Sequence, residues 1–109
     1  MGYSKALAKT NVQLQRIIQR ASKDSRLVVI TQHAAERMVD RNISRSEVDN
    51  CMRIGCIHRA PEPNRAMGSL ECRMEGYVAG RHLAVIVAIC DEDPSMIVVT
   101  AMKVKKERR

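Results

Sequence analysis

The chain has no tryptophan, no phenylalanine and only two tyrosines among its 109 residues. Its core must therefore be built from Ile, Val, Leu and seven Met, whose flexible thioethers fill irregular gaps and keep the packing adaptable. Near-absence of aromatics also argues against single-strand recognition by base stacking. Long apolar runs are missing too: Leu83 to Cys90 is the longest, far short of the roughly 20 residues that span a bilayer. With no h-region and small-residue cleavage site at the N-terminus, a cytoplasmic protein without membrane contact is expected. There is no G-x-S-x-G, which excludes that form of serine catalysis, and no phosphate-cradling glycine loop, so no nucleotide cofactor is expected. Four cysteines (Cys51, Cys56, Cys72, Cys90) are expected as free thiols in a reducing compartment. Cys51, Cys56 and His58 lie close together, but they form no C-x-x-C pair and have no second cluster. Cys51 also falls on the core face of a helix, so no metal site is assigned.

What is present suffices for one domain over residues 1–109: 45% of the residues are hydrophobic, and no stretch reads as a linker. The formal charge of +7 is unevenly placed. Residues 1–27 carry six basic side chains against Asp24, and residues 103–109 carry five against Glu107. The middle, 28–102, holds eight basic and ten acidic residues, and all eight are Arg. Every Lys is in the two ends. Lys-rich ends attract phosphate diffusely, whereas the planar fork of Arg suits bidentate phosphate or carboxylate contacts.

Along the chain, the spacing predicts one helix from Ser4, as N-cap, to about Ser22, with Leu7, Leu14, Ile17, Ile18 and Ala21 on one stripe. Lys5, Lys9, Arg16, Arg20 and Lys23 project from the opposite side within roughly 60°. This basic amphipathic segment, 1–24, is either a solvated face or a surface for phosphate or a partner. Leu27 to Ile30 is an edge strand or a buried lead-in. A second helix is expected from Thr31, as N-cap, to near Asn42, with Ala34, Ala35, Met38 and Val39 inward. Ser44-Arg45-Ser46-Glu47 is a capping box that starts a third helix, ended by Gly55 in the left-handed C′ conformation. The period then changes to two. Cys56 to Ala60 is a short strand, Pro61 to Asn64 a loop, and Leu70 to Glu75 a strand with Leu70, Cys72 and Met74 inward. Ala79-Gly80-Arg81 is a hairpin turn. Leu83 to Cys90 is a central strand covered on both faces, Asp91 to Ser95 a turn, and Met96 to Val104 the last strand, before a basic tail over 105–109. The expected fold is α+β, three helices packed on a three- to four-stranded antiparallel sheet.

His33, Arg37 and Arg41 follow one another at helical spacing. An imidazole, with a reference pKa of about 6.5, moves protons near neutrality, and two guanidinium groups beside it can hold a phosphate. The plainer alternative is a solvent-facing helix whose arginines pair with Glu36 and Asp40. On the sheet, Glu71, Arg73, Glu75 and Tyr77 share the polar face of one strand, with Arg81 and His82 at its turn. Arg73, Tyr77 and His82 would complete a cleft with His33 if helix and sheet face each other.

The segment from Thr31 to Ser44 resembles a bacterial domain family of unknown function with the signature H-A-x-x-R-M-x-x-R-x-I-S, itself distantly similar to the RelE and BrnT groups of toxin ribonucleases. The resemblance covers about residues 28–104. It implies a RelE-like fold and metal-independent RNA cleavage in a toxin–antitoxin system, with His33, Arg37 and Arg41 as the residues carried over. Arg73, Tyr77 and Lys103 are loose counterparts of the basic and aromatic residues those groups gather on the sheet and near the C-terminus. The expected catalytic set is thus His33, Arg37 and Arg41, assisted by Arg73 or His82. Lys5, Lys9, Arg16, Arg20, Lys23, Lys103, Lys105 and Lys106 are the expected RNA-steering set. The rivals are a non-catalytic nucleic-acid-binding module, and a protein-interaction module whose N-terminal seam docks an acidic partner such as an antitoxin or a second copy.

Overall fold

A computed structural model describes residues 2–105, except the side chain of Lys105. The first expected helix is two: α1, Ser4–Leu7, and α2, Asn11–Ala21. The break has a local cause. The Thr10 hydroxyl accepts from the Gln13 amide at 3.2 Å while the Gln13 side chain accepts from Thr10 N at 2.8 Å, a capping box that starts a new helix. Ser4 is not the cap of α1, whose N-cap residue is Tyr3. The amides of Lys5 and Ala6 instead donate to the Asp91 carboxylate at 2.7 and 2.9 Å. Leu14, Ile18 and Ala21 are fully buried against the rest of this chain, so these three residues of the seam expected to dock a second copy belong to the core, while Leu7 is 49% exposed.

After a 3-10 turn at Ser25–Leu27 come β1, Val28–Ile30, and α3, Gln32–Asp40, capped as expected by Thr31. The chain reverses at Asn42, which adopts a positive φ of 54°. Helix α4, Arg45–Ile54, starts at the Ser44–Glu47 capping box and ends at Gly55. Gly55 is not left-handed: its φ is −72°. Its requirement is space, since a Cβ there would come within 2.9 Å of the Glu75 carbonyl oxygen.

The strands that follow are β2, Cys56–Ile57; β3, Glu62–Asn64; β4, Ser69–Val78; β5, Arg81–Ile89; and β6, Ile97–Lys105. Together with β1 they form a six-stranded mixed sheet, ordered β1-β6-β5-β4-β2, with β3 also paired to β4. The antiparallel three- to four-stranded sheet with three helices expected from the sequence is thus replaced by four helices and six strands, with β1 parallel to β6. Strands β1 and β2 fall where an edge strand or lead-in and a short strand were expected, shortened to three and two residues. Strand β3 replaces the loop expected at Pro61 to Asn64 and is too short for alternation to reveal. Pro63 lies in β3, an edge strand, where its missing N–H costs little.

Val78 pairs with Arg81 across a two-residue turn in which Ala79 and Gly80 both have positive φ, the geometry that matches strand twist. Leu70, Cys72 and Met74 on β4, and Leu83, Val85, Val87 and Ile89 on β5, are buried with Val48, Cys51 and Met52 of α4 and the seam of α2. One sheet face is therefore covered by helices. Truncating a fully buried residue such as Met74 to Ala should cost about 2–5 kcal/mol.

Candidate functional site

On the other face of the sheet the side chains alternate outward. Strand β4 contributes Glu71, Arg73, Glu75 and Tyr77, and β5 contributes His82, Ala84, Ile86 and Ala88. A bulge at Thr100 shifts the register of β6, so Arg73 aligns with Ile86 and Ala101, and Glu75 with Ala84 and Lys103. Ala60 and Ala101, between charged side chains, leave a hollow. A cleft of about 470 Å³ is bordered there by Arg59, Glu62, Glu71, Arg73, Ile86 and Lys103, among others. Arg59 reaches it because β2 covers β4 at Met74–Glu75 and β3 covers it at Ser69–Glu71, so the connecting loop passes beside Arg73.

Arg73 is only 17% exposed, and its Nε lies 3.6 Å from a Glu75 carboxylate oxygen, within ion-pair range but beyond a normal hydrogen bond. That buried Nε has no hydrogen-bond partner. A second hollow of about 300 Å³, mainly apolar, adjoins the first: both are bordered by Glu71 and Thr100.

Among the described residues, His33, Arg37, Arg41 and His82 do not border the charged cleft. His33 is exposed at the start of α3, next to the Thr31 amide, which donates to the Val99 carbonyl at 3.1 Å. Arg37 pairs with Asp40 at 2.9 Å. The Arg41 guanidinium donates to the Met102 carbonyl. Helix α3 therefore lies along β6 where β1 ends, turning Ala34 and Met38 toward the core, while Arg41, its C-cap residue, reaches the sheet. Ala35 and Val39, expected inward, are exposed, Val39 by 81%. His82 stacks edge-on against Tyr77 with ring centroids 4.8 Å apart. It stands four residues along β5 from Ile86, the partner of Arg73, or about 13 Å at ~3.3 Å per residue.

Arg81, read from the sequence as part of a turn, is a clamp. Its guanidinium donates to the carbonyls of Arg41 at 3.1 Å and Asn42 at 3.0 Å and to the Glu47 carboxylate at 2.6 Å. A cation thus closes the C-terminal end of α3. The Arg81 hydrogen bond, seconded by the Ser44 amide, holds the Glu47 carboxyl below the usual carboxylate range.

Lys5, Lys9, Arg16, Arg20 and Lys23 are all exposed, and none forms an ion pair among the described residues. The break after α1 interrupts their spine, yet Lys5, Lys9 and Arg20 still border one hollow of about 350 Å³ beside Asp91. Lys103 is exposed and borders the cleft. The side chain of Lys105 and all of Lys106, with the rest of the expected basic tail, lie outside the described residues.

The four cysteines are free. Cys51 is buried, its thiol donating toward the Met74 and Leu83 carbonyls, and burial pushes its pKa up to about 11. Burial alone pushes Cys72 up to about 12. Neither is a ready thiolate, and no group of three metal-ligating side chains occurs among the described residues. No helix among them is long and apolar enough to cross a membrane.

Arg59 and Glu62 were missed as site residues because they sit on a Pro-bounded segment without periodicity. Their only signal is position, opposite the uncovered stretch of β4. Fold and site together define a small α+β domain with helices on one sheet face and a charged, alanine-floored cleft on the other. Residues 30–103 match the family described as a domain of unknown function (DUF4258), and the chain belongs to that family. No curated protein and no solved structure matches it.

Proposed function

We propose that the open sheet face binds RNA and that the chain is a toxin-like, metal-independent endoribonuclease acting there. The observation that carries this is the cleft on the open sheet face, which Arg59, Arg73 and Lys103 border together. A phosphate in the cleft faces these three cations, with the Glu62 and Glu71 carboxylates at its border. The resemblance of the Thr31–Ser44 segment to the RelE and BrnT groups points the same way.

Metal-free cleavage of RNA needs three things. A base takes the proton of the ribose 2′-hydroxyl as its oxygen attacks phosphorus, cations stabilise the charge that develops on the phosphoryl oxygens, and an acid protonates the departing 5′-oxygen. The product is a 2′,3′-cyclic phosphate. Glu75, beside Arg73, serves as base and Arg73 with Lys103 as the cations. His82, about 13 Å along β5 from the partner of Arg73, is too far to be that acid, and the Lys103 ammonium, which borders the cleft, protonates the departing oxygen. Arg41 is engaged by the Met102 carbonyl, and Arg37 by Asp40 through a terminal nitrogen, its buried Nε lacking a hydrogen-bond partner as that of Arg73 does. His33 is the exposed member of the α3 set that reaches the RNA. The basic face of α1 and α2 steers the polyanion, and an acidic antitoxin-type protein is the partner suited to that face.

The test is purified protein with RNA in EDTA. Products ending in 2′,3′-cyclic phosphate are expected, with cleavage lost in Arg73→Ala and in Lys103→Ala. Cleavage that requires a divalent metal, or that survives both substitutions, would refute the mechanism. One observation favours a second reading, a module that binds nucleic acid without cutting it: no imidazole borders the cleft among the described residues. That module would show salt-dependent affinity with no products.

A further inference from the structure

The apolar hollow beside the cleft has an uneven lining. Met67, Met96, Ala88 and Val98 supply its apolar walls, and its charged groups are two carboxylates, Glu71 and Asp93. Met67 is 74% exposed, so the mouth is open. The other polar groups there are largely occupied. Asn64 accepts from the Met67 amide and donates to Glu71 Oε2 at 3.3 Å. The Thr100 hydroxyl donates to the Ile86 carbonyl, and the Cys90 thiol to the Gly68 carbonyl. Glu71 Oε1 is left as an acceptor at the boundary with the cationic cleft.

A ligand filling both hollows must carry an anion at one end. At the other it needs a flat apolar body with hydrogen-bond donors and no negative charge. A fatty acid or acidic peptide fails at the carboxylates, and a basic peptide fails at Arg59, Arg73 and Lys103. A nucleotide meets both conditions, its phosphate at Arg73 and its base between the methionines.

We infer that the apolar hollow is a base subsite selective for guanine, with Glu71 as the discriminating residue. This rests on the phosphate-binding role proposed for the cleft. Guanine presents N1–H and an N2 amino group side by side, and one carboxylate accepts from both. Uracil offers a single N–H flanked by carbonyl oxygens that would face a carboxylate without donors. Methionine suits a flat base because its polarizable sulfur packs against aromatic rings.

Calorimetry and amide shifts with guanosine 3′-monophosphate, uridine 3′-monophosphate and inorganic phosphate test this. The guanosine nucleotide should bind about tenfold or more tightly than the other two, as a bidentate pair discriminates, and shift the amides of Ala88 and Val98. Glu71→Gln should remove the preference without weakening phosphate binding. Met67→Ala, at an exposed position that folding does not need, should weaken the guanosine nucleotide alone. Equal affinity for all three probes would overturn the base subsite while leaving the phosphate cleft standing. Absence of binding by any probe would overturn both. A dimeric mass by light scattering that reverts to monomer in Met67→Ser, without nucleotide preference, would show instead that a second copy covers the hollow.

Discussion

Five exposed cations of the N-terminal segment and four arginines of the middle of the chain carry the same charge and do opposite things. Lys5, Lys9, Arg16, Arg20 and Lys23 stand exposed with no ion pair among the described residues, whereas Arg37, Arg45, Arg73 and Arg81 each face a carboxylate. Arg41 closes on a backbone carbonyl. Charge held by neighbours organises the fold, and charge left in water attracts a partner. Arg73 belongs to both groups: its Nε faces the Glu75 carboxylate at 3.6 Å, too long for a hydrogen bond, while the side chain borders the open cleft.

Neutralising the five exposed cations to Gln should produce the largest change. RNA affinity should fall by well over tenfold at low salt, with the slope of log K against log salt reduced by about 3.5, since each phosphate contact on a single strand contributes ~0.7. Thermal stability should not move, and a large loss of stability would show that these charges are structural after all. Arg81→Ala is the converse. Losing three hydrogen bonds around the end of α3 should cost about 2 kcal/mol in urea denaturation, with the RNA salt slope unchanged. Arg45→Ala removes an exposed i, i+4 pair with Asp49 and should cost only about 0.3–0.5 kcal/mol.

The smallest effect is a pH dependence. Glu47 is held below its ordinary value, first by the Arg81 hydrogen bond. Asp91 is also lowered: burial opposes its charge, but the Lys5 and Ala6 amides, the Ser4 hydroxyl and the Lys5 charge outweigh burial. Between folded and unfolded pKa values the unfolded chain binds more protons, so this stabilisation is complete above about pH 4.5 and is lost as pH falls through the lowered values. Acid titration of stability should therefore be shallower in Asp91→Asn than in the unsubstituted chain. An unchanged acid limb would mean that the α1 contact does not form in solution.

The caps at Thr31 and Ser44 and the Ala79-Gly80 turn are legible in the sequence because each depends on residues within four positions of one another. The alternation of β4 is legible for the same reason. The parallel pairing of β1 with β6 is not, since it joins residues 28–30 to 97–99 and no local pattern encodes it. The split between α1 and α2 was readable at Thr10 and Gln13, but the apolar stripe spans it without interruption. The rotation of α3 is invisible because Arg41 looks solvent-facing until β6 presents the Met102 carbonyl. Arg73 stands out by alternation alone. Its company of Arg59 and Lys103 depends on the β2–β3 connection and the bulge at Thr100, both set by tertiary pairing.

The account turns on where the scissile phosphate sits. Single-turnover cleavage of labelled RNA in EDTA, at saturating protein, separates capture from chemistry. The variant lacking the five exposed cations should recover the full cleavage rate once saturated, while Arg73→Ala should remain inactive at any concentration. Full activity of saturated Arg73→Ala, with the helix variant inactive, would place the chemistry on the N-terminal helices and contradict the sheet-face site.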